Sequence, residues 1–399
     1  MKKKILSVVL SLALVGGLFA GCGGNGGSTG GSTDSGSTNT EASDDGGSTA
    51  SGGGQKVGVS MPTKDLQRWN QDGANMESEL KAAGFEVDLQ YAANDTQQQL
   101  SQVENMINSG CSVLVIAAIE GSSLGEALDM AKENNIPVIA YDRLLMDSDA
   151  VSYYATFDNY MVGTIQGKYV EEQLDLKNAG DKTYNIEFTA GDPADNNAGF
   201  FFNGAFDALK SYIDAGKLVV QSGQTAFDQV ATQQWDTSKA LTRFQNILGS
   251  NYADKQLDVA LCSNDSTALG VTQAIESDYK GDKTKVIVTG QDGDEANLAN
   301  IVDGKQTMTV YKAVANEAKV TLDLGVAILS GKKPDESLIK ESGWDFECSY
   351  DTSSYDNGTG VIPSYLLVPT VVTKDNIQKE LVDTGYYTMD DQGYPHPVG

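Results

Sequence analysis

The sequence predicts an α/β protein built as two parallel-sheet lobes. Three observations carry this. The chain has 399 residues, enough for two domains once non-folding segments are set aside. From Lys56 onward, short apolar strands alternate with helix-spaced segments, and the alternation runs through twice. Central strands such as VLVIAA are apolar almost without a break, which suits strands covered by helices on both faces.

Taken in order, VGVSM is a first short strand. Trp69, Gly73, Met76, Leu80 and Ala83 then mark one face of a helix. FEVDLQY alternates as a strand does, and Leu100, Val103 and Ile107 mark a second helix. SVLVIAAI reads as a central strand, Leu124, Leu128 and Ala131 as a third helix, and IPVIAY as the next strand. After YYATFDN the pattern starts again, with a helix at Val162, Ile165, Tyr169 and Val170 and a strand at YNIEFTA. Phe202, Phe206, Leu209 and Ile213 give a helix and KLVVQ a strand. Residues 235–249 read as a helix, LDVALC as a strand, 266–278 as a helix and KVIVTG as a strand. A helix at 293–302, a strand at TMTVY and a long helix at 313–330 follow. VIPSYLLVPTVVT closes the chain as extended, proline-interrupted backbone.

The N-terminus has another texture. Three lysines precede the apolar run ILSVVLSLALVGGLFA, and Cys22 follows Leu18-Phe19-Ala20-Gly21. Residues 1–21 read as a secretory signal, and the small residues before Cys22 resemble a bacterial lipoprotein cleavage site. Lipidation of Cys22 would fix the protein to a membrane surface. Residues 22–55 are Gly- and Ser-rich and read as a flexible tether.

Removing the three lysines from 28 basic residues leaves 25 against 55 acidic ones. That balance argues against a nucleic-acid partner, since phosphate binding needs a basic footprint. Cys111, Cys262 and Cys348 are odd in number and do not suggest a disulfide framework; Cys111 and Cys262 adjoin apolar runs and read as buried thiols. The single histidine, His396, lies in a YPHPVG tail that reads as frayed, so no Ser–His or Cys–His pair is offered. DGDEAN and DNGTG do not match a calcium-binding loop, and no metal or cofactor is expected.

In parallel α/β sheets, ligands sit at the carboxyl ends of strands. Those ends are well equipped: Arg68 and Trp69 after VGVSM, Asp142 and Arg143 after IPVIAY, and Asp195 and Asn197 after YNIEFTAG. Trp235 opens the helix at QQWDTSK, Asn264 and Asp265 follow LDVALCS, Asp292 follows KVIVTGQ and Lys312 follows TMTVY. Each has a plainer reading. Asp and Asn after a strand cap helices, and Asp265 before STALG fits a cap. Arg and Lys there can be solvated, and Trp69 has the spacing of a core residue. Together they suit a polyhydroxylated ring. Carboxylates, amides and guanidinium groups bridge adjacent hydroxyls, and indole covers C–H faces.

Over residues 56–399 the sequence resembles the periplasmic-binding-protein type I sugar receptors, closest to the multiple-monosaccharide and xylose-binding branch. The likeness rests on SMPTKDLQRWNQDG, QLSQVENMINSG, VLVIAAI, VIAYDRLL, YYATFDN, GDPADNNA, GQDGDE and TVYK, in order and spacing. It implies two Rossmann-like lobes on a three-segment hinge, with crossovers near 157–160, 311 and 363–366. Residues 56–158 plus 312–363 would form one lobe and 159–311 plus 364–399 the other. It implies sugar contacts from Arg68, Asp142, Asp195, Asn197, Asp292 and Lys312. Trp69 would lie on the ring or the lobe and Trp235 on a sugar face. Arg143 would touch the sugar or hold Asp142 ionised. Asn264 matches the xylose receptors, and the multiple-sugar branch can differ there. The implied protein is a monomeric, lipid-anchored monosaccharide receptor, not an enzyme. Its partners would be an ABC permease with its ATPase, or a chemotaxis or sensor-kinase receptor. Paired carboxylates leave a glycosidase as the rival. A sugar-responsive DNA-binding regulator would need an N-terminal DNA-binding helix pair where the signal and tether stand.

Overall fold

The computed structural model describes residues 54–398. The secretory segment, Cys22 and most of the tether lie outside the described residues. The first run of elements is β1 (Lys56–Met61), α1 (Gln67–Ala82), β2 (Glu86–Tyr91), α2 (Thr96–Asn108), β3 (Val113–Ile116), α3 (Gly125–Glu133), β4 (Val138–Tyr141) and β5 (Val151–Phe157). The second is α4 (Asn159–Gln173), β6 (Tyr184–Thr189), α5 (Asn196–Asp214), β7 (Leu218–Val219), α6 (Phe227–Val230), α7 (Thr237–Asn251), β8 (Val259–Cys262), α8 (Asp265–Asp278), β9 (Ile287–Val288), α9 (Glu295–Asp303) and β10 (Met308–Tyr311). The chain closes with α10 (Val314–Leu329), α11 (Ser337–Ser342), β11 (Cys348–Asp351), β12 (Ser364–Leu367), β13 (Thr370–Thr373), β14 (Tyr387–Met389) and β15 (Pro395–Pro397).

The first sheet has seven strands in the order β11-β12-β5-β4-β3-β1-β2, all parallel except β11. The second is β7-β6-β8-β9, parallel throughout, and a parallel bridge between Gln291 and Val310 carries it on to β10. Both sheets therefore begin with the same doubly wound order, in which the first strand lies between the second and the third. That order reverses direction beside the first strand and opens a crevice at the carboxyl ends.

The unbroken apolar strands have the predicted cause. On β3, Val113 and Val115 face a core shared with α1 and α10, while Leu114 and Ile116 face a core shared with α2 and α3. On β8, Val259 and Leu261 face one core and Ala260 and Cys262 the other. Each such valine, leucine or isoleucine, fully buried, contributes roughly 1.5–3 kcal/mol. In the second lobe, α4 and α5 approach closely because Gly163 carries no Cβ; one built there would stand 1.9 Å from the Phe201 carbonyl oxygen. This contact fixes α5, whose start carries Asp195.

Several sequence-based expectations shift. Residues 235–249 do not form one helix: Trp235 closes a 3₁₀ turn, and α7 starts at Thr237 behind the Asp236 cap. KLVVQ and KVIVTG shrink to two-residue strands. The third crossover, expected near 363–366, follows Leu367 instead, because Ser364–Leu367 pairs in parallel with β5. His396 is not frayed. It lies in the β14–β15 hairpin, with Nδ1 2.6 Å from Glu295 Oε1. Cys111, Cys262 and Cys348 are free, and the first two are buried.

Candidate functional site

The carboxyl ends of both sheets converge on one cavity lined by Arg68, Trp69, Asp142, Arg143, Asp195, Trp235, Asn264, Asp292 and Lys312, nine of the ten residues expected from sequence. Leu66, Phe201 and Gln291 complete its wall. The cavity is small, about 20 Å³, roughly the room of one water.

Arg68 stands in the first turn of α1 and faces four carboxylates. Its Nε and Nη2 donate to the two oxygens of Asp72 at 2.9 and 3.2 Å, and Nη1 donates to Asp142 Oδ2 at 2.9 Å. Asp292 Oδ1 lies 3.6 Å away and Glu317 Oε2 3.8 Å. Lys312, at the β10–α10 crossover, donates to Asp142 Oδ2 at 3.1 Å and lies 3.4 Å from Asp292 Oδ1. Asp142 thus joins a cation from the first lobe to one from the hinge. Its backbone is left-handed, with φ of 54°, a region that Asp tolerates better than most residues. Tyr154 Oη, Thr156 Oγ1 and Asn197 Nδ2 all reach its carbonyl oxygen, at 2.5, 3.0 and 2.6 Å. That is why an apolar strand can end in a carboxylate: backbone bonds on all sides hold the turn, and two cations hold the charge.

Asn197 is the expected residue that the cavity does not reach. Its amide is consumed by the Asp142 carbonyl, so it ties the two lobes instead of facing the opening. Arg143 also reaches across. Nη1 donates to Ala118 O and Ile119 O at 3.1 and 3.3 Å, and Nε lies 3.0 Å from Asp195 Oδ2. It makes no hydrogen bond to Asp142, which it affects only through charge. Asp195 is both cap and wall. Oδ1 accepts from Asn197 N at 3.0 Å, and Oδ2 accepts from Trp235 Nε1 at 3.2 Å. Trp235 fits against Gly191, where a Cβ would stand 1.9 Å from the indole. Asn264 likewise caps α8 through Thr267 N at 3.0 Å, while its Nδ2 points to Asp292 Oδ2 at 3.5 Å. Trp69 lies beside both guanidinium groups, 4.4 Å from Arg68 and 5.1 Å from Arg143, within cation–π range.

Asp265 proves to be neither cap nor contact. Its Oδ2 accepts from Gly293 N, Asp294 N and Thr309 Oγ1 at 2.9, 2.9 and 3.0 Å, and its Oδ1 accepts from Gln306 Nε2 at 2.9 Å. It pins the turn that holds Asp292 at φ of 104°. Asp72 and Glu317, inside α1 and α10, were not expected either. Asp72 stands one turn beyond Arg68 and receives Tyr141 Oη at 2.6 Å, so the four-residue spacing was its only signal. Glu317 is fully buried, and neither of its oxygens has a hydrogen-bond partner.

Charge explains the difference between these acids. Burial opposes ionisation of Asp142, but Arg68, Lys312 and Arg143 outweigh it and hold the carboxyl well below the usual range. Burial, with Asp142 and Asp72 beside it, pushes Glu317 well above its usual range. Burial and Asp292 push Asp294 up to about 7. For Asp294 and Glu317 the folded protein binds protons that the unfolded chain has released. Their contribution to stability is complete below the ordinary carboxylate pKa and is lost as pH rises through the folded value. Asp142 works the other way, losing its contribution only as pH falls below the ordinary aspartate pKa. The ligand-free protein should therefore unfold at a lower temperature at pH 8.5 than at pH 5.5. Asp294→Asn should flatten that slope; an unchanged slope in the variant would remove Asp294 from the account.

Known proteins give the same picture at the level of the chain. Residues 57–333 match the model of the periplasmic binding protein domain. The multiple sugar-binding periplasmic receptor ChvE of Rhizobium radiobacter is 45% identical over 336 residues, spanning 84% of this chain and 91% of the relative. The D-xylose-binding periplasmic protein of Escherichia coli is 33% identical, spanning 83% and 91%. The crystal structure of an ABC transporter solute-binding protein from Clostridium phytofermentans with bound β-D-glucose is 55% identical. It covers 84% of this chain and 98% of its own, with a TM-score of 0.78.

Proposed function

The chain belongs to the periplasmic binding protein family, and from that premise we propose that it is an extracytoplasmic receptor that captures one aldose in this cleft and delivers it to an ABC importer. The observation that carries the reading is the array Arg68–Asp142–Lys312–Asp292. It gathers charged donors and acceptors from both sheets into one buried cavity. A pyranose presents neighbouring hydroxyls that both donate and accept. It can take over these bonds while Trp69, Trp235 and Phe201 cover its C–H faces. A ring is far larger than 20 Å³, so its entry requires the lobes to part along their three connecting segments and to close again over it. Closure then depends on the sugar, and a permease can read closure.

Glucose and xylose are the first candidates, because a 55% identical protein holds β-D-glucose and relatives are named for xylose and for multiple sugars. Thermal-shift screening with D-glucose, D-xylose, D-galactose, L-arabinose and D-ribose tests this. Ligand at 100 to 1,000 times Kd should stabilise the protein by roughly 2.7–4.1 kcal/mol. No shift with any of the five would sink the sugar reading. The same sample should leave aryl glycosides intact, and turnover would favour the glycosidase. A lipid on Cys22 would hold this receptor at the outer face of a membrane. Cys22→Ser should move it from the membrane fraction to the soluble one, and retention at the membrane would refute the lipid anchor.

A further inference from the structure

Against the outer face of α1 lies a second hollow of about 560 Å³. That volume is within the range of small-molecule sites. One wall is the outer face of α1, where Gln67, Gln71 and Asn75 stand at four-residue spacing. The facing wall carries the rings of Tyr311, Tyr386 and Tyr387, with centroids 5.5 and 5.9 Å from Tyr311. The two walls belong to different lobes. Helix α1 packs on the first sheet, whereas Tyr311 and Tyr387 share a core with α9 and β13. Two hydrogen bonds cross beside the hollow, from Glu295 N to Gln67 Oε1 at 3.0 Å and from Tyr386 Oη to Asn316 Oδ1 on α10 at 3.2 Å. The other end of the Gln67 amide, Nε2, is buried without a partner.

The lining selects a neutral ligand. It includes no lysine or arginine, and its one carboxylate, Glu295, is already engaged by His396 at 2.6 Å. Carboxamides stand opposite the partly exposed ring of Tyr386, with Tyr311 and Tyr387 themselves buried, a combination suited to a hydroxylated ring with a C–H face.

We propose that this hollow is a second saccharide site, for a neutral sugar of up to disaccharide size, and that filling it favours the closed lobes. The inference goes beyond aldose capture in the cleft. A ligand touching both lobes binds the closed form better and shifts the population toward it. Linkage then requires that it tighten aldose binding in the cleft by the same factor that aldose tightens its own.

The full chain, saturated with D-glucose, is titrated with cellobiose, maltose and lactose at millimolar concentration and followed by amide NMR. At least one disaccharide should give saturable shifts around Asn75 and Tyr386. It should also raise glucose affinity about 5-fold or more. Ala74 is an exposed lining residue on α1, so Ala74→Trp occupies the hollow from a tolerant position and should abolish both the shifts and the gain in glucose affinity that the disaccharide gives. Ser78→Trp, also exposed and on the same face, should do the same. No saturable shift with any of the three, shifts that survive both tryptophans, displacement of glucose, or binding with no effect on glucose affinity would each overturn the proposal. Loss of glucose binding in the unmodified protein would instead count against the cleft reading.

Discussion

Arg68→Ala should lower folding stability by about 3–5 kcal/mol and abolish measurable aldose binding. The guanidinium is buried among Asp72, Asp142, Asp292 and Glu317, and two of these accept its hydrogen bonds directly. Ion pairs of this kind add little compared with a well-packed apolar core, but removing one partner leaves the other charge stranded in low dielectric. Here a single side chain offsets several acids, so its loss strands more than one. The remaining acids can relax only by taking up protons, so the variant should lose stability faster than the parent as pH rises. Arg68→Lys keeps the charge but not the two-pronged grip on Asp72, and it should fall between parent and alanine. Denaturant unfolding at two pH values reads both effects. A stability within about 1 kcal/mol of the parent, the size of a surface pair, would show that Arg68 is not the counter-ion of this group.

The sequence made the frame legible because periodicity and polarity are local. Two runs of alternating strands and helices, with Asp, Asn and Arg at strand ends, locate the lobes and the edge where they meet. What escaped depends on distance in space. Asp72 and Glu317 look like the polar residues of any amphipathic helix, and only packing reveals that they are buried under Arg68. Asp265 looks like a cap, because capping chemistry and the fastening of a distant turn use the same carboxylate. Asn196 and Asn197 cannot be ranked from the letters DNN, and Asn197 goes to the Asp142 carbonyl. Pro363 and Pro369 flank β12, and either could have marked the crossover. Pairing with β5 places it at the second.

Asp142→Asn and Arg143→Ala should weaken sugar binding for different reasons. The asparagine keeps the shape, and it tolerates the left-handed backbone that Asp142 occupies, so the fold should persist. It removes the anionic acceptor shared by Arg68 and Lys312. One hydrogen bond involving a charged group contributes roughly 1.5–3 kcal/mol, so affinity should fall about 10- to 100-fold. Arg143 spends its donors elsewhere, on the carbonyls of Ala118 and Ile119 and on Asp195 of the facing lobe. Its removal should act through Asp195, which then keeps only Trp235 Nε1 and the Asn197 amide. Double-mutant cycles on aldose affinity separate the two routes. The Arg143–Asp195 pair should show an interaction energy of about 0.5–3 kcal/mol, and the Arg143–Asp142 pair a smaller one. The opposite order would mean that Arg143 serves to keep Asp142 ionised, and that its contact with Asp195 only follows from lobe closure.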